Sequence, residues 1–187
     1  MLKSRQGVKY PGVAQIKIFN KRTKKEVKHD GKELGEVCIK GNTVMMGYHL
    51  DRAATKKVFY KGWFHTSDIG VTHKNGYIEL KDRLKDIIIS GGENISSIEI
   101  ENVLFKLKDV VDVVEVAKKD VKWGEVPCAF ITLKKNSALE ESRIIDFCKK
   151  NMAKFKIPKK IIFGKIGKTS TGKIQKYLLR KIANQTK

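Results

Sequence analysis

The stretch Gly167-Lys168-Thr169-Ser170-Thr171-Gly172-Lys173-Ile174 falls one position short of G-x-x-x-x-G-K-[ST]. In that loop backbone N–H groups cradle phosphates and the closing Ser or Thr holds magnesium. Ile174 stands where the hydroxyl belongs, and only residues 175–187 follow it. A parallel crossover needs a helix and a returning strand, for which this tail is too short. A free-standing phosphate-loop triphosphatase is therefore not expected, and what remains is a polar, glycine-containing turn ending in a lysine. Taken alone, such a turn reads equally well as a solvated hairpin or a helix start.

With 187 residues, 41% of them hydrophobic, the chain has enough apolar material for one large or two small domains. The formal charge of +20, from 40 Lys+Arg against 20 Asp+Glu, is compatible with nucleic acid, an anionic membrane or a polyanionic small molecule. A lysine-rich nucleic-acid module is the rival on charge alone, and a non-catalytic interaction module is the other. The first lacks interleaved aromatics for stacking bases, since Tyr77 and Trp123 stand apart in apolar strands. Cys38, Cys128 and Cys148 are widely spaced, with neither disulfide nor zinc spacing, so no metal ligand is assigned and a reducing intracellular compartment, the cytoplasm first, is expected. No apolar run approaches the ~20 residues that cross a bilayer. The closing Asn184-Gln185-Thr186-Lys187 is not a peroxisomal address.

Along the chain, residues 13–19 and 35–40 alternate like half-buried strands, and Asp51 is placed to cap a short helix over residues 52–59. Asn75-Gly76 is a hairpin signal between residues 69–71 and 77–80. The charged hexamer Lys81-Asp82-Arg83-Leu84-Lys85-Asp86 reads as an exposed connector and places a domain boundary after residue 81. Beyond it, Ile87-Ile88-Ile89 reads as a buried strand, Ser90-Gly91-Gly92-Glu93-Asn94 as a loop, and Ser96-Ser97-Ile98-Glu99 as a capping box. Strands are expected over 110–117, 126–133 and 161–163, with helices over 139–152 and 174–182. The fold class is α+β: a small β-rich subdomain, residues 1–81, then a small domain, residues 82–187, with a short sheet flanked by helices.

Six segments in this order resemble the carboxyl-terminal part of the adenylate-forming (AMP-binding) enzymes, over residues 5–182. They are Gly35-Glu36-Val37 with Gly47-Tyr48, Gly62-Trp63-Phe64-His65-Thr66-Ser67-Asp68, Gly76-Tyr77-Ile78-Glu79 with Arg83-Leu84-Lys85-Asp86, Ser90-Gly91-Gly92-Glu93-Asn94-Ile95, Trp123-Gly124-Glu125, and Ser170-Thr171-Gly172-Lys173-Ile174. Gln6-Gly7-Val8 and the run from Trp123 to Phe130 look most like acyl-activating enzymes of the short- to medium-chain acyl-CoA synthetase type.

The resemblance implies a ligase that joins a carboxylic acid to AMP using ATP and magnesium, then turns its small C-terminal lid domain and passes the acyl group to coenzyme A. Residues 1–81 would belong to the β subdomain of the large AMP-binding domain, and residues 82–187 would be the mobile lid. By the same resemblance Asp68 accepts from the ribose hydroxyls, a task suited to an acceptor-only carboxylate. Arg83 reaches the ribose and phosphate region with its planar fork of donors. Lys85 is the hinge, Gly91, Gly92 and Trp123 face the coenzyme A channel, and Lys173 stabilises charge during adenylation. The sequence departs from the family at Ser67, where glycine is common, and at Gly167, where proline is frequent and whose loss would loosen the approach to Lys173. Family members carry about two more domains before this point, with the phosphate loop, the magnesium ligand and most of the acyl pocket. The chain is therefore expected to be a fragment of a full ligase, a truncated gene product or the partner of a separate N-terminal chain, and to be inactive alone.

Overall fold

The structure, a computed structural model, describes residues 15–186 and divides between Lys85 and Asp86 into two compact units. Residues 13 and 14 of the first expected strand, and Gln6-Gly7-Val8, lie outside the described residues.

The first unit is a five-stranded antiparallel sheet. Its strands are β1 (Gln15–Phe19), β2 (Gly35–Lys40), β3 (Phe59–Tyr60), β4 (Trp63–Thr72) and β5 (Ile78–Arg83). β4 is long enough to hold three neighbours: β2 runs along one edge, while β3 and β5 share the other. Gly35, Glu36, Val37 and Cys38 are all buried, so β2 is covered on both faces rather than half-buried as its alternation predicts. The short helix α1 (Arg52–Val58) starts where Asp51 predicts, with the Asp51 carboxylate accepting from the Ala54 N–H at 2.8 Å. Gly76, in the left-handed region at φ +78, closes the β4–β5 hairpin.

The charged hexamer is not an exposed connector throughout. Lys81, Asp82 and Arg83 complete β5, and Asp82 is 5% exposed. A charged sequence continues a strand here because its edge pairs with β4 in register, Asp68 opposite Arg83 and Ile69 opposite Asp82. The break between units consequently falls four residues later than the sequence boundary.

In the second unit the long hairpin β8 (Val110–Asp120) and β9 (Gly124–Leu133) forms the centre, with β10 (Lys160–Phe163) parallel to β9. β6 (Ile88–Ser90) and β7 (Glu93–Ile95) form a tight hairpin joined to β9 at Ser90 and Gly124. The stretch from Ser90 to Asn94 is thus a hairpin instead of a loop, because Gly91 and Gly92 supply the two positive φ angles, +58 and +88, that a two-residue turn requires. Ile89 is correspondingly 54% exposed, against the expectation of a fully buried strand.

The helices are α2 (Ser97–Leu104), α3 (Glu141–Asn151) and α4 (Lys176–Gln185). Ser96 caps α2, its hydroxyl accepting from the Glu99 N–H at 3.3 Å. One apolar cluster joins Ile100 and Leu104 of α2 and Ile144 and Cys148 of α3 to Ile88, Ile95, Val113, Ala129 and Ile131 of the sheet. A second seats Leu179 and Ala183 of α4 on Val114, Val116, Cys128 and Phe130. Helices packed on small, mostly antiparallel sheets are the α+β class that the pattern predicts. Among the described residues no helix is long and apolar enough to cross a membrane.

Candidate functional site

Asp68 lies just after a residue in unusual backbone. Ser67 sits at φ +62, the left-handed region that favours glycine, which is the position where the resemblance expects glycine. Several hydrogen bonds hold it there. The Ser67 N–H donates to Glu36 Oε1 at 3.1 Å, the Leu84 N–H donates to the Ser67 carbonyl at 2.8 Å, and the Thr66 hydroxyl anchors on the Val37 carbonyl at 2.8 Å. The strand pairing then puts Arg83 across from Asp68, Nε to Oδ1 at 3.5 Å, with the arginine side chain 66% and the carboxylate 34% exposed. An acceptor-only group and a fork of donors therefore share one accessible edge of the sheet, a combination suited to a polyhydroxyl group next to an anion.

Behind this edge Glu36, Cys38 and His65 bring a carboxylate oxygen, a thiol and an imidazole nitrogen within 4.8 Å of one another. They face one another because Glu36 and Cys38 are two apart on β2 and His65 pairs with Cys38 on β4. His65 Nδ1–H donates to Glu36 Oε2 at 2.8 Å, the other Glu36 oxygen is taken by Ser67, and burial, followed by the Glu36 charge, pushes the Cys38 thiol up to about 12. The cluster is a hydrogen-bonded support for the Ser67–Asp68 backbone, and its one signal in the sequence is a glutamate in an apolar strand.

In the second unit the Gly91 N–H donates to the Trp123 carbonyl at 2.9 Å, and a Cβ added at Gly91 would lie 2.8 Å from Trp123 Cε3. The indole thus lies over the Gly91 backbone, 45% exposed, rather than inside the core. Gly92 is open on its Cβ side. The Asp120 carboxylate shapes the turn by accepting from the Lys122 and Trp123 N–H groups, and the Lys122 ammonium lies 5.0 Å from the indole centroid.

Lys173 is elsewhere. Its turn bridges Lys168 to Ile174, and Lys168 pairs with Asp112 near the start of β8, whereas Gly91 and Trp123 sit at the end of that strand. Eight residues of extended chain between Asp112 and Asp120 correspond to roughly 25 Å. The structure therefore brings Asp68 to Arg83 and Gly91 to Trp123, and holds Lys173 apart from the second pair. Lys173 itself is exposed. Gly167, with open space at its Cβ and no left-handed φ, is not what shapes this turn.

Lys85 is flanked by two anchors. Before it, Leu84 is hydrogen-bonded to Ser67 in the first unit; after it, Asp86 is ion-paired with Arg180 of α4 in the second.

Sequence reasoning missed Glu115. It is fully buried in β8, and neither carboxylate oxygen has a hydrogen-bond partner among the described residues. Burial, reinforced by the nearby Glu101 charge and only opposed by Lys176, holds its pKa well above the usual carboxylate range. The one signal is a lone acid inside Val113-Val114-Glu115-Val116.

Residues 99–173 match the family described as AMP-binding enzyme C-terminal domain. The chain carries this AMP-binding C-terminal domain, and its homologues are acyl-activating enzymes and CoA ligases. It is 49% identical over 188 residues to a probable acyl-activating enzyme 9 of Arabidopsis thaliana, a match covering 97% of this chain and 34% of that protein. It is 46% identical over 189 residues to an acetate/butyrate–CoA ligase of the same plant, named as peroxisomal, covering 98% of this chain and 33% of the relative. The chain thus spans about a third of the length of these relatives. Among solved structures, ATP-bound MatB from Rhodopseudomonas palustris matches 96% of this chain and 35% of its own at a TM-score of 0.89 and 30% identity.

Proposed function

We propose that this chain acts as the carboxyl-terminal part of an ATP-dependent carboxylic acid–CoA ligase, with residues up to Lys85 serving the nucleotide and Asp86 onward forming a lid that turns about Lys85. The observation that carries this is the cross-strand pairing of Asp68 with Arg83, the arginine exposed and the carboxylate half-buried on one edge, with the backbone before Asp68 held by Glu36 through Ser67. Asp68 would accept from the ribose hydroxyls of ATP or AMP, and Arg83 would orient the carboxylate and reach toward the phosphates. Lys173, exposed on its turn, would place an ammonium where negative charge develops as the acid meets the α-phosphate. Gly91 and Gly92 would let the pantetheine arm of coenzyme A pass close to backbone beside Trp123.

The roughly 25 Å along β8 between the lysine turn and the Gly91–Trp123 pair supports two half-reactions served by opposite ends of one lid. A swing about Lys85 would exchange them, since the residues on either side are each tied to their own unit. Magnesium, the phosphate loop and the acyl pocket would be supplied by sequence outside residues 1–187, so the identity of the acid is set there. Three free, buried cysteines support work in a reducing intracellular compartment. The basic excess is partly spent inside the chain, on pairs such as Lys156 with Glu99 and Lys81 with Glu79, which favours this reading over a nucleic-acid surface.

The test is a chimera in which this chain replaces the matching third of the Arabidopsis acetate/butyrate–CoA ligase. It should release pyrophosphate in an acid-dependent way and then form acyl-CoA. A folded, ATP-binding chimera that does neither would refute the proposal.

A further inference from the structure

Two lysines close to Lys173 in sequence are tied down. Lys168 Nζ donates to both carboxylate oxygens of Asp112 on β8, each at 2.8 Å. Lys176, the first residue of α4, donates from Nζ to the Ser97 hydroxyl at 2.6 Å and to Glu101 Oε1 at 2.8 Å, both on α2. Glu101 is itself fixed, because the same oxygen accepts the Glu115 N–H of β8 at 2.9 Å. One foot therefore grips the sheet and the other grips helix and sheet together.

Between the feet the turn closes on itself. The Thr169 N–H donates to the Lys173 carbonyl at 2.9 Å, the Lys173 N–H donates to Thr169 Oγ1 at 3.0 Å, and the Gly172 N–H donates to the Thr169 carbonyl at 2.8 Å. The backbone of Lys173 is thus held on both sides while its side chain stays at the surface. The two feet differ in strength. Lys176 and Glu101 are 20% and 15% exposed, so their pairing is screened less than that of Lys168 and Asp112, at 41% and 28%.

We infer that Lys176, Glu101 and Ser97, assisted by Lys168 and Asp112, are positioning residues that set the place from which the Lys173 ammonium acts. The inference rests on the assignment of Lys173 to adenylation given above. Lysine is a point charge on a flexible stem, so its electrostatic effect on a reacting centre depends on where its backbone is pinned. With proline absent at position 167, the ion pairs would supply stiffness to the turn.

Lys176→Met and Glu101→Gln in the chimera should lower kcat for acid-dependent pyrophosphate release about 10-fold or more. KM for ATP should be unchanged, as should thioester formation from ready-made acyl adenylate. Lys176→Arg should restore most of the loss. In the 187-residue chain itself, Lys176→Met should speed amide exchange at Gly172 and Lys173 while Val114 and Ala129 keep their protection. Unchanged kcat in Lys176→Met, with Lys173→Ala still impaired, would overturn this inference alone. An unimpaired Lys173→Ala would overturn the assignment beneath it. Equal loss of both half-reactions, with faster exchange throughout the sheet, would reduce the set to a fold-stabilising ion pair and likewise overturn the inference.

Discussion

Glu115→Gln should make the second unit more stable, by an amount that grows with pH. In the unfolded chain Glu115 titrates near the ordinary value of 4.5, and in the fold burial and Glu101 raise it well above that. A group whose folded pKa is raised holds its proton longer in the native state. Its favourable contribution is complete below the unfolded pKa and is lost as pH rises toward the folded one. The slope for one proton is about 1.4 kcal/mol per pH unit. Between pH 5 and pH 7 the wild type should therefore lose stability relative to the glutamine variant, whose amide fills nearly the same volume and does not titrate, by at most the one-proton slope of about 1.4 kcal/mol per pH unit. Against a typical total of about 5–15 kcal/mol this is easily measured. Urea unfolding followed through Trp123 fluorescence, in a Trp63→Phe background at pH 5, 6 and 7, gives the difference directly. The other groups facing Glu115 are Glu101 on α2, Lys176 on α4, Cys128 on β9 and Cys148 on α3. They are common to both proteins and largely cancel in the subtraction. Parallel stabilities across that range would refute the reasoning, for they would require an ionised Glu115 in the native state.

Asp68→Asn in the chimera should raise KM for ATP roughly 10-fold while leaving kcat within a few-fold, because an amide offers one acceptor oxygen where the carboxylate offers two; nucleotide titration checks it. Gly91→Ala forces a side chain into φ +58 with its Cβ 2.8 Å from Trp123. It should cost about 1–2 kcal/mol from the backbone, shift Trp123 emission and slow thioester formation more than adenylation. Lys85→Pro fixes φ between the Leu84 and Asp86 anchors. It should preserve pyrophosphate release and abolish transfer to coenzyme A, measured on the separate half-reactions.

Much of this fold was legible because its signals are local. Asp51 and Ser96 capped the helices they precede, Asn75-Gly76 turned the chain where expected, and the apolar periodicity of Ile100 and Leu104 placed α2 on the core. What escaped was pairing. The charges of Lys81, Asp82 and Arg83 concealed a strand because the neighbour that satisfies it, β4, precedes it by a hairpin. The Gly91-Gly92 hairpin passed for a loop because three-residue strands carry almost no periodic signal. A linear motif singled out Lys173 for the proposed site but not the residues that anchor its turn. Asp112 and Glu101 lie 56 and 75 residues from the lysines they hold. The inward placement of Glu36 and Glu115 was hidden for the same reason, since only the fold shows that an acid in an apolar strand faces the interior.

The account turns most directly on Lys173→Ala in the chimera, assayed for the two half-reactions separately. Acid-dependent pyrophosphate release should fall by about 10²-fold or more, as when a preorganised electrostatic group is removed. Conversion of supplied acyl adenylate to the thioester should proceed at the parental rate, because under the proposal that step would use the Gly91–Trp123 end of the lid instead. Adenylation at the parental rate in Lys173→Ala would contradict the account and leave the turn from Gly167 to Ile174 as solvated surface.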